Sequence, residues 1–201
     1  ADKLGMVGNK ASLFDENNWS GFFMMLNQVI ALIGIIGFGF VSGWVFGREY
    51  IEHTMKDLLA LPASRSSIVI SKFIIIVLWC VLLSLVLFIT GLVTGYIIRI
   101  PGWSEAVFRE QVIGFIITMV LTILLVTPVA LIAGIGRGIV APIAFVIALL
   151  ILAQFIAVAG WGPYFPWSIP GVCTVSSDAG GMKLVNASYI IVILTSLAGL
   201  A

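Results

Sequence analysis

Lys72-Phe73-Ile74-Ile75-Ile76-Val77-Leu78-Trp79-Cys80-Val81-Leu82-Leu83-Ser84-Leu85-Val86-Leu87-Phe88-Ile89-Thr90-Gly91-Leu92-Val93-Thr94-Gly95-Tyr96-Ile97-Ile98 is the stretch on which the fold turns. Beyond Lys72 it holds no Asp, Glu, Lys, Arg or His. A helix needs about 20 apolar residues to cross the hydrocarbon core of a bilayer, and this run is long enough to do so. Four more stretches also lack Asp, Glu, Lys, Arg and His: 17–47, 111–136, 138–177 and 184–201. The first three have room for a crossing, and the last ends where the chain ends. Of the 201 residues 61% are hydrophobic and 9% charged, with a mean hydropathy of +1.21. Soluble domains carry about 25% charged residues, so a water-soluble enzyme is excluded. The expected fold is an all-α polytopic membrane protein, a single transmembrane domain over 1–201. Its helices are expected at 22–46, 72–98, 111–133, 139–159 and 186–201.

Ten basic and nine acidic residues leave a net charge of +1, which offers nucleic acid no electrostatic footprint. Cys80 lies in an apolar run and Cys173 in a loop. Cysteines placed so differently read as packing residues, without a disulfide or metal framework. Residues 1–16 are polar and do not form a signal peptide, and 1–21 is expected to be extracellular. The chain reads as one that begins inside a longer protein. The last helix is short for a crossing, so the chain is expected to continue past Ala201 as well.

Gly39, Gly43 and Gly47 stand four apart, as do Gly91 and Gly95. Such spacing opens a groove in which another helix approaches closely, here read as packing within one subunit. Gly134-Ile135-Gly136-Arg137-Gly138 reads as a tight turn between helices. Residues 160–185 include Tyr164-Phe165-Pro166-Trp167-Ser168-Ile169-Pro170-Gly171, rich in aromatics and prolines. That stretch is too apolar to be solvated and too proline-rich for a spanning helix, so it is expected at the interface or dipping back into the membrane. Lys and Arg counts in the loops tie, but their density places the 48–72 loop in the cytoplasm.

That loop is the most polar segment: Gly47-Arg48-Glu49-Tyr50-Ile51-Glu52-His53-Thr54-Met55-Lys56-Asp57-Leu58-Leu59-Ala60-Leu61-Pro62-Ala63-Ser64-Arg65. Ile51, Met55 and Leu58 recur at helical spacing, while Glu49, Glu52, His53, Lys56 and Asp57 lie off that stripe. Glu52 and Lys56 form a favourable i,i+4 pair, and Pro62 disfavours helix at Leu61. Ser64, Ser66 or Ser67 is placed to cap the next span. An interfacial lipid-binding helix would favour Lys and Arg on its polar face. Mixed acids and bases beside an apolar stripe suit docking into a protein groove.

Gly-Arg-Glu-Tyr followed by Thr54-x-Lys56-x-Leu58-Leu59-x-Leu61-Pro62-x-Ser64-Arg65 resembles the first cytoplasmic loop of type-2 ABC exporter permeases. These serve bacitracin-resistance, lantibiotic-immunity and multidrug exporters in bacterial cell membranes. The Tyr164–Gly171 stretch is similar to the extracellular segment before their last helix. The resemblance implies six membrane helices, with the first lying before this chain. It implies that 48–61 is a coupling helix seated in a groove of a separate ATPase subunit. Glu49, Glu52, Thr54, Lys56, Leu58, Leu59, Pro62 and Arg65 would form or brace that joint. Tyr164, Pro166, Trp167 and Pro170 would belong to a re-entrant element closing the outer end of the substrate path. His53 matches no part of the pattern and reads as a surface side chain.

The function so implied is export of an amphipathic or hydrophobic substrate (an antimicrobial peptide, drug or lipid-like molecule). A second permease subunit, identical or not, would complete the path, surrounded by membrane lipid. No cofactor is expected on this chain; ATP and Mg would sit on the partner ATPase, since no phosphate-binding Gly-x-x-x-x-Gly-Lys-Ser/Thr loop is present. The rival classes are an ion-coupled secondary transporter and a non-transporting sensor or anchor subunit. Proton-coupled carriers hold ionisable residues within their spans, and the centres of these spans have none. Thr90, Thr94, Thr118, Thr122 and Thr127 offer hydroxyls for a sodium site, but read as bonding their own helix backbones. An intramembrane enzyme would need a paired nucleophile and base or a zinc motif, and the sole histidine, His53, is outside the spans.

Overall fold

The computed structural model describes residues 19–52, 64–136, 138–175 and 186–199. Among these residues all regular structure is helical. Four helical stretches are long and apolar enough to cross a membrane: Trp19–Ile51, Ser66–Ile98, Glu105–Ile135 and Val140–Val158. Asn186–Ala198 is apolar but shorter.

The first stretch is a single rod made of α1 (Trp19–Val29), a wide π turn (Ile30–Gly34) and α2 (Ile35–Ile51). Val29 and Ile35, at the two joints, keep right-handed helical dihedrals, so the rod is unbroken. It runs past the apolar stretch that ends at Gly47, through Arg48, Glu49 and Tyr50. Backbone hydrogen bonding does not depend on side-chain polarity, and an Arg48–Glu52 contact four residues apart supports the last turn.

Helix α3 covers Arg65–Ile98 and so begins a full two turns before the apolar run. Ser64 is its cap: the backbone is extended there, and its hydroxyl accepts from the Ser67 amide at 3.2 Å. At the other end Arg99 adopts the left-handed region, φ 57°. This turns the chain so that the Ile100 amide reaches back to the Gly95 carbonyl.

The third stretch divides into α4 (Glu105–Leu124) and α5 (Val126–Ile135). Ser104 caps α4 by accepting from the Val107 amide, and Glu105 in the first turn complements the helix dipole. Pro128 has no amide proton to give the Leu124 carbonyl, so the ladder fails just where α4 ends. Helix α6 spans Val140–Val158; Pro142 lies in its first turn, where no amide donor is required.

The aromatic and proline-rich segment folds into two 3-10 turns, Gly162–Tyr164 and Pro166–Ser168, followed by α7 (Ile169–Val175). Gly160 enters it with φ 88°. Helix α8 is Asn186–Ala198.

The rod α1–α2 is the central element. It packs α2 on α5 and α6, and α1 on α4 and α7. One core gathers Ile35, Leu121, Leu125, Val129, Val146 and Val192 from five helices. A second joins Phe38 to Ile76, Cys80 and Val126. Helix α3 lies at the periphery, with most of its large apolar side chains exposed.

Candidate functional site

Helices α2 and α3 bring their polar ends together on one side of the bundle, flanking residues 53–63. Glu49 of α2 and Lys72 of α3 form an ion pair of 2.6 Å, their side chains only 18% and 14% exposed. The same ammonium stands 4.9 Å from the centroid of the Phe46 ring, which meets Phe73 edge-on at 5.5 Å. The charge is therefore held by a carboxylate on one side and an aromatic face on the other. Arg48 and Glu52 make a second pair at 2.7 Å, but within one helix and far more exposed.

Of the residues assigned to a coupling joint, Glu49 faces α3 and Glu52 pairs with Arg48. Arg65 opens α3. Thr54, Lys56, Leu58, Leu59 and Pro62 lie outside the described residues, as does His53. The Glu49–Lys72 contact could not be anticipated from spacing, because the partners are 23 residues apart on different helices. The one available signal was that Lys72 is the last charge before the long apolar run.

Close packing secures this end. A Cβ on Gly47 would lie 2.8 Å from the Gly138 carbonyl carbon, one on Gly43 2.9 Å from Pro142, and one on Gly39 2.7 Å from Val146. The three glycines thus form the seam between α2 and the start of α6. Gly91 and Gly95 of α3 meet Leu26 and Trp19 of α1 in the same manner.

At the opposite end the 162–175 segment sits among α1, α4, α6 and α8. Trp167 is buried against Phe145, edge to face at 6.1 Å, and against Phe165 at 5.9 Å. Pro170 is fully buried, Pro166 half-buried and Tyr164 exposed. Two serines hold the turns. The Ser168 hydroxyl donates to the carbonyls of Gly162 and Phe165, and Ser188 of α8 donates to the Pro163 carbonyl at 2.7 Å. Trp19, Trp103 and Phe108 form an aromatic cluster beside the start of α1, the usual composition of a membrane interface.

Thr90, Thr94 and Thr122 each donate to a carbonyl three or four residues back in their own helices, and Thr127 donates across the α4–α5 break to the Leu124 carbonyl. Thr118 departs from that expectation: it is buried, and its hydroxyl makes no hydrogen bond among the described residues. Thr127 also reaches α8, 2.9 Å from the Ser196 carbonyl and 3.1 Å from its hydroxyl. Among the described residues no three His, Cys, Asp or Glu side chains are grouped to hold a metal.

Residues 4–154 match the family described as ABC-2 family transporter protein. The chain is 30% identical over 174 residues to the bacitracin transport permease protein BCRB of Bacillus licheniformis, covering 86% of this chain and 83% of that protein. No solved structure matches it. A polar-ended, charge-free set of crossing helices and a family match over most of the length agree: the chain belongs to the ABC-2 transporter family, as a multi-pass permease subunit of the bacterial cell membrane.

Proposed function

We propose that this permease exports an amphipathic peptide or a similarly hydrophobic molecule, driven by ATP that a separate ATP-binding-cassette subunit hydrolyses. The observation that carries the reading is the pairing of the polar ends of α2 and α3, the two helices that precede and follow residues 53–63 in the chain. Residues 48–61 act as the coupling segment, the first four of them being the last turn of α2, with Glu52, Thr54, Lys56, Leu58, Leu59, Pro62 and Arg65 at or beside the joint. ATP and Mg belong to the partner. Closure of two ATPase subunits moves the coupling helices, and the path between two permease subunits opens alternately inward and outward. Tyr164, Pro166, Trp167 and Pro170 belong to the element that closes its outer end. Spans without central charges suit an apolar or amphipathic cargo, since an ion or sugar path needs more polar lining. The bacitracin permease relative supports a peptide antibiotic as the first substrate to try.

The test is purification of the full-length protein from its native membranes in mild detergent, with mass spectrometry of what remains bound. A stoichiometric ATP-binding-cassette ATPase is expected, lost in Leu58→Asp while membrane insertion is kept. Burying an unpaired charge in a protein groove costs several kcal/mol, more than a transient joint tolerates. Recovery without any ATPase, even after cross-linking at 49–65, would sink the reading in favour of an ion-coupled carrier or a sensor subunit.

A further inference from the structure

We propose that Glu49 and Lys72 are positioning residues: a staple that holds the two helix ends flanking 53–63 as one rigid unit, so that displacement of the loop moves α2 and α3 together. The proposal rests on the ATPase-driven reading above. Glu49 then serves α3 within its own subunit instead of facing the ATPase.

Three observations carry it. The pair joins different helices across the loop, whereas Arg48–Glu52 stays within one helix and cannot tie elements together. Both partners are mostly buried, and a mostly buried pair is broken only by leaving one charge uncompensated. An exposed pair such as Arg48–Glu52 is screened and worth little. Finally, the ammonium stands over the Phe46 ring, and that ring packs edge-on against Phe73 of α3, so the cross-link is seated on an aromatic contact between the same two helices. Just beyond it, Gly47 touches the Gly138 backbone, which passes any shift of α2 on to the α5–α6 turn. Without the staple, the loop's motion would splay the two helix ends apart before reaching the bundle.

The experiment uses the full-length permease in its native complex, with Glu49→Lys, Lys72→Glu, the double charge swap and Lys72→Arg. Thermal unfolding of the permease reads the pair itself. Each reversal is expected to lower the midpoint, and the swap to recover most of the loss. Coupling is read as ATPase turnover per assembled complex. Each reversal is expected to lower kcat about fivefold or more, the low end of ordinary coupling free energies, with KM for ATP and the amount of bound ATPase unchanged. The swap and Lys72→Arg are expected to restore kcat. If reversals reduce stability while kcat stays normal, or if the swap restores stability and not kcat, the positioning role is wrong. If no ATPase accompanies even the unmodified protein, the coupling role falls with the reading beneath it, and the thermal cycle still decides whether the pair is a staple.

Discussion

The hydroxyl of Thr127 stands 2.9 Å from the carbonyl oxygen of Ser196, 69 residues further along the chain. It also lies 3.0 Å from the Leu124 carbonyl, the acceptor that Pro128 leaves without an amide donor. One proton serves two carbonyls, and the last turn of α8 is brought to the break in the third span. Gly199 there packs on the backbone of Thr127 and Pro128, which a Cβ would overlap.

Thr127→Val keeps the shape of that side chain and removes its hydroxyl. The expected cost is about 1 kcal/mol, since side-chain hydrogen bonds within membranes average ~0.6 and reach ~1.7 kcal/mol. Thr127→Ser is expected to restore stability. Thermal or denaturant unfolding in detergent measures both; a Val variant as stable as the parent would mean that packing alone holds the break.

The glycine seam predicts an order of effects. Gly47→Ala meets the backbone of Gly138, which has no side chain to rotate, and is expected to cost about 1–3 kcal/mol. Gly39→Ala meets only a Val146 methyl and is expected to cost less. Gly37→Ala has nothing within 4 Å of the new carbon and is expected to be neutral or stabilising by up to about 1 kcal/mol. Unfolding midpoints of the three variants check the order, and equal losses would contradict it.

Ser188→Ala removes the donor to the Pro163 carbonyl in a fully buried setting. Leaving that oxygen unsatisfied costs about 1–3 kcal/mol. Because the bond ties α8 to the first 3-10 turn, the loss is expected to appear locally, as faster hydrogen exchange over 160–175. Exchange that rises evenly over the whole chain would show that the serine does not anchor this segment.

Arg48→Gln breaks the exposed pair with Glu52. Its effect on stability is expected to stay below about 0.5 kcal/mol, measured beside Lys72→Gln, which is expected to cost several times more. Equal effects would remove the distinction between the two ion pairs.

The membrane-spanning helices were legible because burial in lipid demands an unbroken apolar run, and 73–98 is one. Their ends were less so. Helices α2 and α3 continue through Arg48, Glu49 and Lys72 because a helix ends where its hydrogen bonds are capped, not where apolarity ends; Ser64 is that cap for α3. Pro128 stood visible in the third run, but proline within a membrane helix often passes without a break. The division at Leu125 became evident only with α8 in place against it. The spacing of Gly39, Gly43 and Gly47 announced a close contact, while its partners, Val146, Pro142 and Gly138, depend on the path of the whole chain. The long-range Glu49–Lys72 contact left no local pattern at all.

Helix α3 also works as a ruler. Lys72 and Arg99 are the charges that bound its apolar run, and at 1.5 Å per residue they stand about 40 Å apart along the axis. That length exceeds the hydrocarbon core of an ordinary bilayer, about 30 Å, and reaches into the headgroup regions on both sides. The apolar run between the cations is therefore covered by lipid only when α3 leans or the bilayer thickens around it, and α3 leans further in a thinner membrane. Glu49 holds the Lys72 end of that helix, so a change in its lean bears on the central rod as well.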